Sequence, residues 1–269
     1  MTRLGPGRWR GAVSDRWSIG PYPNGGYVLL IGLAAIREEV PHPDPFTVTA
    51  HYLSPPAHAP IDVDVEVLRS GRAHSTAMAR MLQDGKERVR ILANYGDHSR
   101  SAGPTILQAE PPPMPPPEQI LTAPHAVPMP NGLVAAIRDR IEWRAAPGTA
   151  GWLHGERTGR AEIGGWVRFV DGRPPDTHAL PLVADVLPPA IFDVTASGWV
   201  PTLELTVHVR ARPAPGWLRC WFRTRFLIGG YLEEDGEVWD ERGQLVAISR
   251  QLARLNPPPG ESGREQSTA

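Results

Sequence analysis

The strongest constraint on this fold is a strand signature that occurs twice. Residues 48–56 read VTAHYLSPP and residues 205–213 read LTVHVRARP. Each places a Thr two residues before a His in a β-patterned run that ends in proline. Each is followed by extended segments and then by a Gly-centred turn, LQDGKE in one case and DERGQL in the other. Each flank closes on a final strand, residues 89–95 (VRILANY) and residues 245–255 (LVAISRQLARL). The unit is too long for a solenoid repeat. The shared order points to a duplicated domain, and 269 residues provide two small units and a sizeable core.

Proline separates the two copies. Residues 104–130 contain AEPPPMPPPEQ and APHAVPMP, which can be neither helix interior nor central strand. An extended polyproline connector laid along a surface is expected there. The polar C-terminal run PPPGESGREQSTA reads as disordered. The resulting division is a first unit over residues 1–100, a linker over 101–131, a second unit over 132–256 and a tail over 257–269.

Each unit has one credible helix before its main strands. In the first it covers residues 27–40, with Gly25 and Gly26 at its start and Pro41 at its end. It is apolar almost all round until Arg37, so burial is expected. In the second unit the candidate covers residues 177–187, capped by Asp176 or Thr177 and limited by Pro188 and Pro189. Residues 61–68, IDVDVEVL, alternate as a half-buried strand, and residues 217–227 do so in part. Residues 161–170 read as a strand with a Gly-Gly bend or bulge. A sheet wrapped around one apolar helix satisfies this pattern in both units.

Several function classes are disfavoured. A net charge of -1 argues against a dedicated nucleic-acid binder. The longest apolar run, residues 27–36, is far short of a membrane span, and the N-terminus shows no signal-peptide core. The single cysteine, Cys220, excludes an internal disulfide and fits a cytoplasmic setting. The histidines lack metal-ligand spacing, and G-x-S-x-G, Walker and dinucleotide motifs are absent. No metal and no cofactor are implied. His51 and His208 stand at repeated positions, which favours a structural role over catalysis.

One residue stands out against its surroundings. Residues 182–191, LVADVLPPAI, are apolar or proline except for Asp185. An ionised, unpaired carboxylate buried there would cost several kcal/mol. Taken alone, Asp185 fits a backbone cap or a partner for an Arg as well as it fits a catalytic base.

The arrangement as a whole resembles the α+β double hotdog fold, two tandem units that each wrap an antiparallel sheet around a buried helix. The segments PNGGYVLLIGLAA, VTAHYLSPP, GGWVRFVDGRPPDTHALPLVADVLPP, PTLELTVHVRARP and LVAISRQLARL resemble the bacterial type II acyl-CoA thioesterases and their thioesterase-like relatives. That resemblance covers residues 17–255. It implies acyl-CoA as substrate and hydrolysis by direct water attack. It places the water-activating set on Asp185, Thr202 and Gln251, with Thr206 as the fallback for Thr202. The counterpart helix in the first unit has no carboxylate until Glu38, so one active site is implied. Backbone N–H groups at a helix start suit an oxyanion, which nominates Gly25, Gly26 and Tyr27. Trp166, Phe192, Trp199 and Tyr231 are candidates for the acyl pocket. Hotdog sheets often pair edge to edge, which leaves a homo-oligomer open. Two rival readings are a hotdog enoyl-CoA hydratase and a non-catalytic binder of acyl-CoA or acyl-carrier protein. The hydratase is disfavoured because no His follows Asp185 within its segment.

Overall fold

Alternation of buried and exposed residues along the strands decides the architecture. A computed structural model describes residues 1–122, 134–195 and 199–256. The first half supplies β1 (Thr2–Gly5), β2 (Arg8–Ala12), the small hairpin β3 (Ser18–Ile19) and β4 (Tyr22–Pro23), and helix α1 (Gly25–Arg37). It continues with β5 (Asp44–Tyr52), β6 (Pro60–Ser70), β7 (Ser75–Gln83) and β8 (Lys86–Gly96). The second half supplies β9 (Ile141–Ala145), β10 (Glu162–Phe169), the one-turn α2 (Leu180–Val183) and β11 (Thr202–Val209). It ends with β12 (Leu218–Arg223), β13 (Leu227–Ile228), β14 (Tyr231–Asp240) and β15 (Leu245–Arg254). The main strands form one antiparallel sheet in the order β1-β2-β6-β7-β8-β5-β11-β15-β14-β12-β10-β9, with β13 attached to β14. No helix of the described residues is long and apolar enough to cross a membrane.

The repeated signature forms the joint of the molecule. β5 lies antiparallel to β11 with Thr49 opposite Thr206, and their hydroxyls are 2.9 Å apart. Each repeated Thr therefore meets its own counterpart, and an approximate two-fold axis passes between them. Val48 and Ala50, with Leu205 and Val207, point into the core. His51 and His208 point outward and are exposed, so neither reaches the interior.

Helix α1 is the buried helix of the first unit. It starts at Gly25 and stops at Arg37, three residues before the expected end. Glu38 and Glu39 close it by donating to Ala35 and Ile36 carbonyls, since Pro41 has no N–H to continue the ladder. Its buried residues include Val28, Leu29, Leu33 and Ile36, consistent with a helix apolar on most sides.

The second helix differs from expectation. It is one turn, Leu180–Val183, and not residues 177–187. The Asp185 N–H donates to the Leu182 carbonyl three residues back, which closes the turn, and any helix beyond residue 187 would need N–H donors at positions 188 and 189 for the carbonyls of Ala184 and Asp185. Both positions are proline, and proline also pushes the preceding residue out of helical geometry. Asp185 thus lies just past the helix, with a backbone carbonyl left to be satisfied elsewhere. Residues 176 and 177 also act separately: Asp176 caps the Ala179 N–H, while the Thr177 hydroxyl donates to Asp44.

Two further expectations change. β10 shows no bulge, because its register with β12 runs unbroken from Glu162 to Val167. Its glycines serve close approach instead: a Cβ on Gly164 would sit 2.3 Å from the Trp221 ring. The proline-rich linker crosses the outer face of the second half. The Pro112, Pro115 and Pro117 carbonyls accept from Arg219, Trp166 and Arg144. Trp166 is thereby buried beneath the linker and does not line the acyl pocket. The linker from residue 123 onward and the tail from 257 lie outside the described residues.

Candidate active site

The site begins at the start of α1. Asn24 caps the helix, its side-chain oxygen accepting from the Tyr27 N–H at 2.8 Å. Its amide nitrogen reaches into the second half and donates to the Asp185 carbonyl oxygen at 2.7 Å and to Asp185 Oδ2 at 3.0 Å. The carbonyl orphaned by the proline pair is therefore satisfied by the cap of the other helix. The Gly26 N–H donates to the same Oδ2 at 2.7 Å. Asp185 Oδ1 has no protein partner among the described residues. The glycines allow the two halves to approach closely here. A Cβ on Gly26 would lie 3.0 Å from both Leu182 Cα and Asp185 Cβ, and one on Gly25 3.1 Å from Asp185 Oδ2.

Burial pushes the Asp185 carboxyl up to about 6, against the opposing pull of the Gly26 and Asn24 donors. Its side chain retains some exposure where it opens on the cleft. The crowding that raises its proton affinity comes from the protein on its remaining sides. A carboxylate of this kind is ionised at neutral pH and is a better base than an ordinary Asp.

A second cluster comes from the sheet. Thr202 donates to Gln251 Oε1 at 2.7 Å, and Gln251 Nε2 donates to Glu234 Oε1 at 2.9 Å. Glu234 Oε2 accepts from the Ala190 N–H at 2.6 Å, which anchors the segment that follows Asp185. Burial raises the Glu234 carboxyl to about 7, with Ala190 and Gln251 opposing the shift and the Asp185 charge adding to it. A β-bulge at Leu203 interrupts the β11–β15 register between Thr202 and Glu204. It reverses the facing of the strand, so Thr202 turns toward Gln251 and the cleft. Thr206 remains on the outer face with Thr49 and Glu204.

Both clusters open on one cleft of about 430 Å³. Asn24, Gly25, Asp185, Thr202 and Gln251 line it, as do Phe192, Trp199 and Tyr231. Its other walls are largely apolar, including Val28, Ile137, Ile141, Trp143 and Leu153. Such a surface accepts an alkyl chain. Two of the three expected amide donors are engaged: Gly26 holds Asp185 and Tyr27 holds the Asn24 cap. The Tyr27 side chain turns away, stacking on Trp17 and donating to the Ala12 carbonyl. Of the three, Gly25 alone lines the cleft.

Sequence reasoning missed Asn24, Glu234 and Tyr52. Asn24 had a local signal, since Asn directly before a helix start is a preferred cap. Glu234 had one too, as an acid at an inward-facing position of an alternating strand, YLEEDGEVWD. Tyr52 carries no local signal.

The approximate two-fold repeats the strands but not the chemistry. Val48 and Leu205 hold equivalent positions; Leu205 pairs with Gln251, whereas Val48 pairs with Ala93. One ladder further, Gln251 faces Glu234, whereas Ala93 faces Ala77. Alanines thus stand where the second half carries its polar pair.

The chain matches known proteins along most of its length. Residues 13–96 match the family model of the acyl-CoA thioesterase N-terminal domain, and residues 109–255 that of the acyl-CoA thioesterase C-terminal domain. An uncharacterized protein of Mycobacterium tuberculosis (strain ATCC 25618 / H37Rv) is 29% identical over 92% of this chain and 90% of its own length. A protein assigned as a thioesterase II from Thermobifida fusca superposes with a TM-score of 0.86 at 27% identity, covering 95% of this chain and 94% of that one. A hot dog protein of unknown function from Alicyclobacillus acidocaldarius superposes at 0.84 with 23% identity, covering 96% of each chain, a likeness of fold alone. The two sheet halves joined at β5 and β11 constitute a double hotdog.

Proposed function

The chain belongs to the acyl-CoA thioesterase family, and from that premise we propose that Asp185 activates a water for direct attack on an acyl-CoA thioester. The protein is a thioester hydrolase. The observation that carries the assignment of roles is the placement of Asp185. It is the carboxylate of the cleft floor, with Oδ2 fixed by Gly26 and Asn24 and Oδ1 left for a water.

The steps follow from the donors and acceptors present. Thr202 donates its hydroxyl proton to Gln251, so its oxygen lone pairs can accept from the attacking water. Gln251 keeps one amide hydrogen beyond the one given to Glu234 and can donate it to the water oxygen. Glu234 sets this polarity, because an ionised carboxylate only accepts. Asp185 takes a proton as the water oxygen bonds to the thioester carbon, and the carbonyl electron pair moves onto oxygen. Collapse re-forms the carbonyl and breaks the C–S bond, the electron pair leaving on sulfur. The proton held by Asp185 passes to that sulfur, giving free CoA and the carboxylic acid. We place this reaction in the cytoplasm; the lone Cys220 is buried and forms no disulfide.

The test is release of free thiol from short, medium and long acyl-CoAs across pH 5 to 8. Activity should rise with pH through about 6, where Asp185 ionises, and through about 7, where Glu234 does. A protein that binds every member of the panel without releasing thiol would sink this reading in favour of a non-catalytic binder.

A further inference from the structure

With the Gly26 and Tyr27 amides engaged, two of the three donors expected for the developing oxyanion are taken and only the Gly25 N–H is left of that set. Tyr52 closes β5 and lines the cleft beside Gly25. Its hydroxyl is buried and has no hydrogen-bond partner. Six buried side-chain polar atoms lack a partner among the described residues, and Tyr52 Oη is the one that belongs to this cleft. Buried hydroxyls are ordinarily paired, so an unpaired one in a reaction cleft calls for an occupant. A Cβ on Gly25 would lie 3.2 Å from Tyr52 Oη and 3.1 Å from Asp185 Oδ2. The hydroxyl and the base therefore flank the same small gap beside Gly25, which a side chain there would crowd.

We propose that the Tyr52 hydroxyl is a catalytic residue, the hydrogen-bond donor that receives the thioester carbonyl oxygen as it becomes an oxyanion. This assignment rests on the water-attack reading above. Tyr52 donates a hydrogen bond and transfers no proton, so the balance of the reaction is unchanged. Its phenol stays protonated throughout the working range, because burial and the charges of Asp185 and Glu204 push it well above its ordinary value. A neutral donor pre-aimed in a crowded site stabilises charge that develops only in the transition state. It would therefore act on kcat and little on KM.

Tyr52→Phe tests this, because it deletes one atom that has no partner in the folded protein. The expected result is a fall in kcat of about 10²-fold, with KM within about threefold and a thermal midpoint unchanged or higher. The acid limb of the pH profile should stay in place. A limb that moves would mean that Tyr52 acts on Asp185 and would overturn the proposal. So would a kcat within about threefold of wild type, an effect confined to KM, or loss of the fold. A second measurement does not depend on turnover. A non-hydrolysable acyl-CoA analogue, with a ketone replacing the thioester, is bound and its carbonyl stretch recorded. The band should lie at lower frequency in wild type and in Asp185→Asn than in Tyr52→Phe. Identical bands in all three would overturn the assignment even if the wild type hydrolyses thioesters. An inert wild type with the expected band shift would instead count against water attack and for the hydrogen bond.

Discussion

Replacing Asp185 by Asn is expected to lower kcat by about two orders of magnitude or more, the range for loss of a general base, without loss of the fold. Asn keeps the shape and can present its oxygen to the Gly26 and Asn24 donors that hold Oδ2. What it lacks is the capacity to take a proton from water. The stability change should run the other way. The folded carboxyl titrates near 6, above its unfolded value, so the native state binds the proton more tightly. Ionised Asp185 therefore weakens the native state above pH 6, and the penalty disappears as pH falls toward 4. At neutral pH the Asn variant should be as stable as the wild type or more so, and the wild type should gain on it in acid. Thiol-release kinetics with thermal unfolding at pH 5 and 7.5 check both halves. A rate within a few-fold of wild type would remove Asp185 from the mechanism.

Replacing Asp44 by Ala should produce the opposite pattern, a large loss of stability with little change in the rate of the folded enzyme. Asp44 opens β5 at the joint between the halves and is 4% exposed. Its carboxylate accepts from Arg212 at 2.8 Å, from the Thr177 hydroxyl at 2.9 Å and from the His98 N–H at 2.9 Å. Burial alone would raise this carboxyl; Arg212, His98 and Thr177 together outweigh it and hold the group below the ordinary carboxylate range. Alanine would strand the buried Thr177 hydroxyl and the His98 amide, each worth about 1–3 kcal/mol. A loss of about 3 kcal/mol is expected, a drop in thermal midpoint of roughly 10 °C for a chain of this size. The sign with pH follows from the lowered value: the stabilisation is present above pH 4 and fades as acid protonates the group. Urea unfolding of wild type and variant at pH 7 and pH 3 should show the difference shrinking at the lower pH, since the loss sets in only below the ordinary carboxylate range. An undiminished difference there would remove the charge of Asp44 from the account.

Some of this was written in short-range pattern. The β5 and β11 signatures, the glycine turns and the buried α1 depend on alternation, on proline and on glycine, each of which acts within a few residues. Asp185 was conspicuous for a local reason as well, as a carboxylate in an apolar and proline-rich run. Pro188 and Pro189 set only an upper limit to α2; its end at Val183, where the Asp185 N–H bonds the Leu182 carbonyl, is not written in them. That Thr202, and not its fallback Thr206, lines the cleft could not be read from alternation. It depends on the bulge at Leu203, and a bulge is a property of two paired strands.

The sequence by itself determined the repeated strand signature, the buried first helix, and that one residue, Asp185, sits where a carboxylate is costly. The tertiary structure decided what the residue touches. It placed the Asn24 cap and the Gly26 amide of one unit against Asp185 of the other, which occupied two amides that helix chemistry alone had offered to an oxyanion. It paired Gln251 with Glu234, and left alanines at the two-fold-related positions. It also left Tyr52 facing the cleft with an unpaired hydroxyl. The division has a physical cause. Periodicity and turn chemistry are set by neighbours along the chain, whereas burial and hydrogen-bond partnership are set by residues 17 to 161 positions apart that meet only when strands and halves pack.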